Sequence, residues 1–561
     1  MGKEWQVLEP DPDQIDQLSK TCKIDPLLAK CLLNRNIPEY QEVEEFLHPC
    51  AYEPPDPFLV PDMHKAVARI ERALANGERI CIYGDYDADG VTAIAILTRA
   101  LKELGGDVFY YIPDRFFEGV GLHCERLRQL KDEENVSLVI TVDTGTRAFE
   151  EMDFANEMAL DVIITDHHTP DKESPKALAV LNPKAEGSEY PFTELSGAGV
   201  AFKLVQALDH RFPGTLLLGD YLKIAAIGTI ADMVPLREEN RWIVARGLRE
   251  INREDQGPIR CLLRKLGVRG FANALDISFK VAPRINAPGR LGDPDTAIAF
   301  FRCQSSRDIN RIVDTMDGMN SVRQMLERDL EAKINLQLRH AYRKCLPPFI
   351  LVAGRHWHRG ILGIMACKIL RRYRRPACVL SFDDHEAHGS IRGTSGLNIL
   401  EPMHHIASLL NSFGGHPEAA GVSLPVTNVP QFRDRMNELL AAQSLASGHQ
   451  SISYVDAVVD WRDLDKKLFT IISKLEPFGI GNHMPAFMTA NLILESEPVR
   501  RGPWFHFEAS DGQVARKCSF YHPSELSEQF ERFDSVDLVY SLTPFRDEYQ
   551  VQIIEMRPSE G

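Results

Sequence analysis

The feature that most constrains this chain is an acidic turn after a short apolar run, in the stretch Ile80-Cys-Ile-Tyr-Gly-Asp-Tyr-Asp-Ala-Asp-Gly90. The apolar run predicts a buried strand, and the apolar residues after Gly90 predict a helix. Between them stand three aspartates in alternate positions, Asp85, Asp87 and Asp89. Acidic turns often only cap helices or solvate loops, but one or two acids suffice for that. Three like charges at one strand end favour a bound cation, so we predict a metal site here.

Composition places the chain among globular proteins with several domains. Its 561 residues exceed one core, and the usual size of ~150 residues per domain predicts three or four units. No apolar stretch approaches the ~18 residues of a membrane helix, and the first residues lack the features of a secretory signal. The 11 cysteines include no Cys-x-x-Cys pair, which argues against a disulfide framework and a cysteine-rich zinc site. We therefore expect a cytoplasmic protein with no membrane contact.

The charge balance leaves a nucleic-acid partner open. A net charge of −16 argues, taken alone, against phosphate binding, which relies on lysine and arginine. A carboxylate metal centre and acidic surfaces can, however, coexist with a local basic groove.

Short apolar strands alternate with helices after the acidic turn, and this pattern predicts an α/β domain with a parallel sheet covered on both faces. Strands are predicted at Asp107–Ile112, Ser137–Val142, Asp161–Thr165 and Ala177–Leu181. Ligands in such sheets sit beyond the carboxyl ends of the strands. Asp143 and the triplet Asp166-His167-His168 each follow a predicted strand directly, and Asp232 follows an apolar helical segment. The sequence thus predicts that several acids and two histidines meet at one edge.

Each of these residues taken alone has a bland alternative, since a lone aspartate often caps a helix and a histidine pair often lies in an exposed loop. Together, so many carboxylates at one edge would repel each other without cations. Oxygen ligands with histidine and no thiolate suit Mn²⁺ or Mg²⁺, and imidazole tilts the choice toward Mn²⁺. Two such ions about 4 Å apart can clamp the attacking and leaving oxygens of a phosphoryl displacement. These residues predict metal-dependent phosphoester hydrolysis.

At these residues the chain resembles the DHH phosphoesterase superfamily, named for the triplet that stands here at Asp166-His167-His168, and within it the bacterial RecJ exonuclease family. The resemblance runs from about residue 60 to the last residue. It rests on an ordered set of motifs, namely Gly84-Asp-Tyr-Asp-Ala-Asp-Gly90, Tyr111-Ile-Pro-Asp-Arg-Phe-Phe-Glu-Gly119, Val142-Asp-Thr-Gly145, Leu195-Ser-Gly-Ala-Gly-Val-Ala-Phe-Lys203, Pro283-Arg-Ile-Asn-Ala-Pro-Gly-Arg290, Gly389-Ser-Ile-Arg-Gly393 and Phe413-Gly-Gly-His-Pro-Glu-Ala-Ala-Gly421.

The resemblance also implies how the chain is divided. Helical spacing of apolar residues over Ile309–Tyr342 predicts a long helix, and many short strands near the end predict a small barrel. A linker is predicted at 441–450. The expected units are an N-terminal helical cap at 1–60, a DHH phosphoesterase domain at 61–300, a connecting long helix at 301–345, a second α/β DHH-associated domain at 346–445, and an OB-fold β-barrel at 454–561.

Roles follow from the resemblance motif by motif. The metal ligands it implies are Asp87, Asp89, Asp143, His167 and Asp232, with Asp85 ligating or supporting them. Asp143 also belongs to the catalytic set, with His168 contacting the scissile phosphate or aiding the leaving group, and with Asp166 orienting an imidazole. The implied DNA-binding residues are Arg115, Arg290, Ser390, Arg392 and His416. Without the resemblance, Arg115 reads as a surface arginine paired with Glu118, and His416 equally well as a buried structural histidine.

One departure from the family pattern concerns the pocket for the DNA end. Gly393 follows Arg392 where the family more often has a serine, so a hydroxyl is missing beside the guanidinium. This departure puts the detail of that pocket in doubt and leaves the metal site untouched.

The function implied by the resemblance is a single-stranded-DNA-specific exonuclease that works 5′→3′ to mononucleotides with two metal ions, in recombination and DNA repair. It implies single-stranded DNA, a single-strand-binding protein and a helicase as partners, and we expect a monomer. One alternative is a DHH-family hydrolase of short oligoribonucleotides or cyclic dinucleotides, against which the predicted barrel speaks. An alternative of another class is a non-catalytic single-strand DNA-binding scaffold. The presence of every expected metal ligand argues against it, because buried carboxylates without a function are costly.

Overall fold

The structure, a computed structural model, describes residues 4–303, 305–342, 346–394, 396–444, 452–502, 504–521, 535–545 and 548–559. Among these residues, no helix combines the length and apolar character that a membrane crossing requires. The first described elements are β1 (Glu4–Val7), α1 (Pro12–Cys22), α2 (Pro26–Leu33) and α3 (Tyr40–Leu47).

The first α/β domain is built on a parallel sheet with the strand order β3-β2-β4-β5-β6. Its first half contains α4 (Met63–Asn76), β2 (Arg79–Gly84), α5 (Ala88–Glu103), β3 (Asp107–Tyr111), α6 (Cys124–Asp132), β4 (Val136–Val142), α7 (Phe149–Glu157), β5 (Asp161–Thr165) and β6 (Ala179–Leu181). Its second half is helical, with α8 (Gly197–Arg211), α9 (Leu218–Ala231), α10 (Glu238–Arg253), α11 (Pro258–Lys265), α12 (Ala274–Asp276), a π-helical turn at Ile277–Val281, α13 (Ala282–Arg290) and α14 (Asp295–Arg302).

Both faces of this sheet are buried, which confirms the predicted α/β class. Along β2, Ile80 and Ile82 point into the larger core with α5, α8 and α9, whereas Cys81 and Tyr83 point into a second core with α6 and α7. Alternate residues of a strand face opposite sides, so a strand that is apolar at every position requires cover on both. Since both faces are covered, the site can lie only at an edge of the sheet, where the carboxyl ends of the strands carry polar residues.

A long helix, α15 (Ser306–Ala341), leads to the second α/β domain. That domain has a mixed sheet in the order β10-β11-β9-β8-β7, in which only β7 and β8 run parallel. Its elements are β7 (Ile350–Arg355), α16 (Leu362–Tyr373), β8 (Ala377–Phe382), β9 (Glu386–Arg392), α17 (Leu400–His405), β10 (Ser412–His416), β11 (Ala419–Pro425) and α18 (Val429–Ser444). Apolar residues of α15 such as Leu330 and Ile334 share a core with α16, so the helix is packed onto this lobe.

The last unit is a closed barrel. Its elements are β12 (Ile452–Val455), β13 (Ala457–Val458), α19 (Lys466–Ser473), β14 (Phe487–Leu494), β15 (Val499–Arg501), β16 (Trp504–Ser510), β17 (Ala515–Tyr521), β18 (Val536–Phe545) and β19 (Glu548–Pro558). Strands follow the order β14-β18-β19-β17-β16, and pairing of β14 with β16 closes the ring. A closed ring of five strands matches the OB-fold barrel predicted from the sequence.

The N-terminal helices belong to the same packing unit as the barrel. Leu28, Leu32 and Phe46 share one core with Trp461 and Tyr540. β1 also pairs in parallel with β12. The helical cap was predicted, whereas β1 and its partnership with the barrel were not.

Element bounds agree with the predictions to within a few residues. β5 spans the predicted Asp161–Thr165, and the long helix spans Ser306–Ala341 where Ile309–Tyr342 was predicted. The predicted linker at 441–450 begins inside α18, and residues 445–451 lie outside the described residues. The bounds predicted for the five units stay a prediction.

Candidate metal centre and the lobe that faces it

Three parallel strands deliver the site residues to one edge of the first sheet. β2 ends before Asp85, β4 ends before Asp143, and β5 ends before Asp166 and His167. Asp143 sits in the left-handed region with φ 57°, a conformation that aspartate tolerates, and its amide donates to the Thr165 carbonyl at 3.0 Å. The tight turn after β4 therefore aims its carboxylate across the end of β5.

His167 is the centre of the cluster. Its Nε2 atom lies 3.2 Å from Oδ1 of Asp143, 3.6 Å from Oδ2 of Asp232 and 3.9 Å from Oδ2 of Asp89. Asp232 reaches this point as the residue that ends α9. Two overlapping groups of possible ligand atoms result, Asp89 with His167 and Asp232, and Asp143 with Asp166, His167 and His168.

Asp89 is held in place by the N-terminus of α8. The amides of Gly197 and Ala198 donate to its two carboxylate oxygens at 2.6 Å and 2.9 Å. A helix N-terminus carries partial positive charge, which suits a buried carboxylate. Gly197 must lack a side chain here, because a Cβ atom would lie 2.7 Å from Cβ of Asp143.

The chemistry of the cluster fits a divalent cation. Four of its buried atoms have no hydrogen-bond partner among the described residues: Oδ1 of Asp143, Oδ2 of Asp232 and both ring nitrogens of His167. Buried polar atoms are almost always paired, so the unpaired Oδ1 of Asp143, Oδ2 of Asp232 and Nε2 of His167, which lie close together, indicate a missing partner. Carboxylate oxygens with one imidazole are ligands that Mn²⁺ and Mg²⁺ accept.

The pKa values show the same need for positive charge. Burial, and then the charges of neighbouring aspartates, raise the pKa of both Asp89 and Asp143 well above the ordinary range. Burial also raises the pKa of Asp232 and lowers that of His167. A cation at this point would reverse the effect on the acids, because it favours their charged form.

Asp85 and Asp87 lie beside the cluster and outside both ligand groups. Asp87 caps α5, accepting from the amides of Asp89 and Gly90 at 3.0 Å and 3.1 Å. Asp85 accepts from the amide of Tyr86, and its pKa is raised to about 7 by burial and by the charge of Asp87. Helix capping, the bland alternative for this turn, is thus one of the functions of Asp87.

Asp166 and His168 form a hydrogen-bonded pair. Oδ1 of Asp166 lies 2.7 Å from Nδ1 of His168, and its other oxygen accepts from the amide of Thr146 at 2.9 Å. Burial alone would lower the pKa of His168, but this hydrogen bond and the charge of Asp166 raise it to about 9. Both oxygens of Asp166 thus have hydrogen-bond partners in the protein, and one of these partners is the His168 ring.

Several residues that support the cluster were not singled out from the sequence. Asn182 is fully buried, and its side-chain amide donates to the Thr146 hydroxyl and to the His168 carbonyl, both at 2.9 Å. Asn286 accepts from the amide of Ala88 at 2.8 Å. Asn182 directly follows β6, so the rule that placed Asp143 at a strand end would also have found it.

Arg115 and Arg290 lie near one another where the two lobes meet. The Arg115 guanidinium lies 4.2 Å over the ring of Tyr86, and its buried Nη1 has no partner among the described residues. Glu118 accepts instead from the Tyr111 hydroxyl and the Asp114 amide, which is not the surface pair considered from the sequence. Nη1 of Arg290 donates to the Gly360 carbonyl at 3.2 Å, and burial, then the charge of Arg115, lower its pKa.

The second lobe reaches the cluster through His416. Its ring stacks on that of His168, with centroids 5.3 Å apart and planes 4° from parallel. His416 is exposed at the end of β10, so the structure does not favour the alternative of a buried structural histidine.

Ser390 and Arg392 lie on β9 of the same lobe, next to Gly363 in the first turn of α16. A Cβ atom at Gly363 would lie 2.9 Å from Nη2 of Arg392 and 3.6 Å from the Ser390 hydroxyl. Within the described residues they make no hydrogen bond or ion pair with the cluster. Gly393 has a packing reason, because a Cβ there would lie 2.8 Å from Cγ2 of Ile399.

Family models match three parts of the chain. The DHH family, N-terminal domain, matches residues 79–229, the DHHA1 domain matches 347–442, and the RecJ OB domain matches 455–554. The first match contains Asp89, Asp143 and His167, and the second contains Ser390 and His416.

Named relatives extend the match to most of the chain. The single-stranded-DNA-specific exonuclease RecJ of Bacillus subtilis (strain 168) is 38% identical over 88% of this chain, which spans 62% of that relative. RecJ of Thermus thermophilus is 32% identical over 91% of this chain and 72% of its own length. The crystal structure of RecJ in complex with Mn²⁺ from Thermus thermophilus superposes with a TM-score of 0.83 at 29% identity, covering 100% of this chain and 80% of that one. The chain therefore belongs to the DHH family and, within it, to the RecJ family, whose members named here are single-stranded-DNA-specific exonucleases.

Proposed function

We propose that this protein is a metal-dependent exonuclease that hydrolyses single-stranded DNA 5′→3′ to mononucleotides, in recombination and DNA repair. The observation that carries the proposal is the convergence of Asp89, Asp143 and Asp232 on Nε2 of His167, with buried atoms left unpaired. Membership of the RecJ family supports the choice of substrate, since the relatives are named for single-stranded DNA.

The cofactor we assign is Mn²⁺ or Mg²⁺, as two ions. Asp89, Asp143, His167 and Asp232 would hold them, with Asp87 and Asp85 contributing from the turn after β2. When bound, such ions lower the pKa of water and stabilise the charge that develops on the phosphate oxygens.

The remaining polar residues of the edge act on the phosphate. The His168 imidazole, held by Asp166, keeps a proton at neutral pH and can donate it toward the leaving oxygen. Arg115 offers its unpaired Nη1 to a phosphate oxygen, and the Tyr86 ring holds the guanidinium in place. Contacts within the protein hold both side chains in place for these functions, namely the Asp166 carboxylate for His168 and the Tyr86 ring for Arg115.

Strand selection is the function we assign to the second lobe and the barrel. The stack of His168 on His416 and the hydrogen bond from Arg290 to the Gly360 carbonyl bring the two lobes into contact beside the metal centre. We assign the space between the lobes to an unpaired strand. Ser390 and Arg392, beside the first turn of α16, would hold a terminal phosphate. On the barrel, exposed Arg500, Arg501 and Lys517 near the Trp504–Tyr521 pair would hold the trailing strand.

Membership of the RecJ family supports our proposal for the partners of the protein. We assign single-stranded DNA as the partner of the cleft, and a single-strand-binding protein and a helicase as protein partners. We further propose that the protein works in the cytoplasm as a monomer.

A digestion experiment tests the proposal directly. Purified protein with Mn²⁺ would be given 5′-labelled and 3′-labelled oligonucleotides, single-stranded and duplex. We expect labelled mononucleotides from the 5′ end of the single strand and an intact duplex. Equal digestion of the duplex, or earlier loss of the 3′ label, would contradict the proposal.

The two other functions give distinct results in the same experiment. Cleavage confined to substrates of a few nucleotides would favour a hydrolase of oligoribonucleotides or cyclic dinucleotides. Binding of the single strand without cleavage in Mn²⁺ and in Mg²⁺ would favour a non-catalytic scaffold.

A further inference from the structure

The turn Leu475–Asn482 connects the barrel unit to the first α/β domain. Asn482 is buried, and its side-chain amide donates to the carbonyls of Leu475 at 2.7 Å and Pro477 at 2.9 Å. Its Oδ1 accepts from Nε of Arg35 at 3.0 Å, on the N-terminal helices. The turn is therefore fixed both from within and by the helical cap.

Arg241, on α10, fastens this turn to the α/β domain. Its side chain is buried and donates to the carbonyls of Phe46 at 2.9 Å, Leu475 at 3.1 Å, Glu476 at 2.6 Å and Pro477 at 3.2 Å. Its guanidinium lies 3.8 Å over the Phe46 ring. A buried charge is costly unless its donors are satisfied, so this contact set marks a fixed junction.

The same turn holds the loop that carries Asp232. The Leu236 amide donates to the Ile480 carbonyl at 2.7 Å, and Nε of Arg237 donates to the Gly481 carbonyl at 3.3 Å. A Cβ at Gly479 would lie 2.6 Å from Cδ1 of Leu236. Any larger residue at position 479 would therefore require the buried Leu236 side chain to shift.

The loop is strained where it leaves the metal centre. Met233, the residue after Asp232, has φ 64° and a side chain that is 57% exposed. Such a conformation is unfavourable for a residue with a side chain and persists only where flanking structure enforces it. On one side the Asp232 amide is held by the Gly228 carbonyl at 2.9 Å, and on the other side Leu236 is held by the turn.

We infer that the barrel unit is a positioning element of the metal centre: Arg241 and Gly479 fix the turn Leu475–Asn482 against the loop 233–237, and the loop fixes the carboxylate of Asp232. The inference rests on the proposed metal centre. It gives the barrel a second function beside strand binding, and it assigns Arg241 and Gly479 as positioning residues that touch neither metal nor substrate.

The first experiment compares two glycine variants. Gly479→Ala pushes on Leu236, whereas Gly270→Ala adds a Cβ with nothing within 4 Å, at a position without positive φ. Mn²⁺ affinity of the metal-free proteins would be measured by titration calorimetry. We expect Gly479→Ala to bind Mn²⁺ about tenfold more weakly, the size typical of lost support to a ligand, and Gly270→Ala to match the unaltered protein.

The second experiment separates positioning from general stability. Arg241→Lys keeps the charge and loses most of the bonds, and Arg260→Lys is its control, because Arg260 donates to the carbonyls of Arg269 and Gly270 on the same domain. We expect both variants to melt at lower temperature. Arg241→Lys should in addition bind Mn²⁺ more weakly and lower kcat, with KM for a single-stranded oligonucleotide unchanged.

The possible outcomes separate the positioning function of the barrel unit from the proposed metal centre on which it rests. Mn²⁺ affinity unchanged in folded Gly479→Ala and Arg241→Lys would overturn the inference and leave the metal centre standing. If Arg241→Lys does not fold, Gly479→Ala decides alone. An unaltered protein that binds no Mn²⁺ would overturn both.

Discussion

The metal centre on the first sheet and the second lobe that faces it are the two sides of a cleft. They differ in burial and in how many of their polar atoms have hydrogen-bond partners in the protein. On the sheet side, Asp89, Asp143 and His167 are buried at fixed distances with polar atoms left unpaired. On the facing lobe, His416 is exposed, and Arg392 donates to the carbonyl of Ile391, its neighbour in the chain. The sheet side presents unpaired ligand atoms that fit an ion, whereas the side chains named on the facing lobe are open to solvent or bonded to their own strand.

The comparison shows which side of the cleft lowers the stability of the metal-free protein. Gathering unpaired acids costs stability, and the fold offsets the cost with the N-terminus of α8 and with large apolar cores. The exposed side chains of the facing lobe carry no such cost, because water satisfies them. We therefore expect a substitution in the metal centre to lower the reaction rate strongly, and a substitution on the facing lobe to weaken strand binding only in part.

The largest effect is expected from His167→Ala. Among the residues that the structure describes, it removes the side chain that approaches Asp89, Asp143 and Asp232 together. The rate should therefore fall by about 1,000-fold, the equivalent of several kcal/mol of charge stabilisation. Hydrolysis of a single-stranded oligonucleotide in Mn²⁺ measures this. His405→Ala, an exposed histidine on the facing lobe, is the control and should keep full activity. A folded His167→Ala variant with normal rates would refute the assigned centre.

Arg115→Ala should have the next largest effect. Loss of one charge-assisted contact to the phosphate predicts a decrease in kcat/KM of about 10- to 100-fold, with Mn²⁺ affinity retained. Arg128→Ala is a matched control, because that arginine, on α6, also lies over an aromatic ring, that of Phe154 on α7. If both variants behave alike, the unpaired Nη1 of Arg115 has no function in the reaction.

His416→Ala tests the facing lobe by itself. We expect a decrease in kcat/KM of about tenfold, because the stack on His168 is worth on the order of 1 kcal/mol. Mn²⁺ affinity should not change, since His416 comes from the open side. If His416→Ala instead binds Mn²⁺ more weakly, the facing lobe contributes to metal binding and the proposed difference between the two sides is wrong.

The smallest effect concerns stability without metal. The pKa of Asp143 is raised in the folded state, so its charge destabilises the metal-free protein at neutral pH, and Asp143→Asn should raise the melting temperature by about 2–4 °C. Asp166→Asn should lower it, because hydrogen bonds to His168 and Thr146 hold the pKa of Asp166 below its usual range against the effect of burial. Calorimetric melting with chelator measures both. Equal shifts in the two variants would contradict the charge argument.

The sequence pattern predicted that the acids and histidines of the sheet side lie together, and the structure places them so, because the signals for this are local. Asp143 and Asp166 stand directly after apolar runs, and parallel strands place such residues together without further information. The left-handed turn at Asp143 and the hydrogen bonds of Asn182 have no periodic signal, so the geometry of the cluster could not be predicted.

Contacts between distant parts of the chain were not predictable in the same way. The stack of His168 on His416 joins two domains, and the pairing of β1 with β12 joins segments far apart in the described chain. Local propensity carries no information on either. On the barrel surface, neighbouring basic residues differ in the same way: Lys517 is exposed, whereas Arg516 donates to the Trp461 carbonyl and the Tyr549 hydroxyl and is structural.

The shared core of the N-terminal helices and the barrel has a consequence for synthesis of the protein. α1 to α3 pack on residues that follow about 400 positions later, so at about 5–20 residues per second they wait on the order of 20–80 s for their partner. During that time Leu28, Leu32 and Phe46 have no core to enter. The intervening α/β domains can fold meanwhile on their own cores, so the helical segment keeps its apolar side chains without a partner until the barrel has been synthesised.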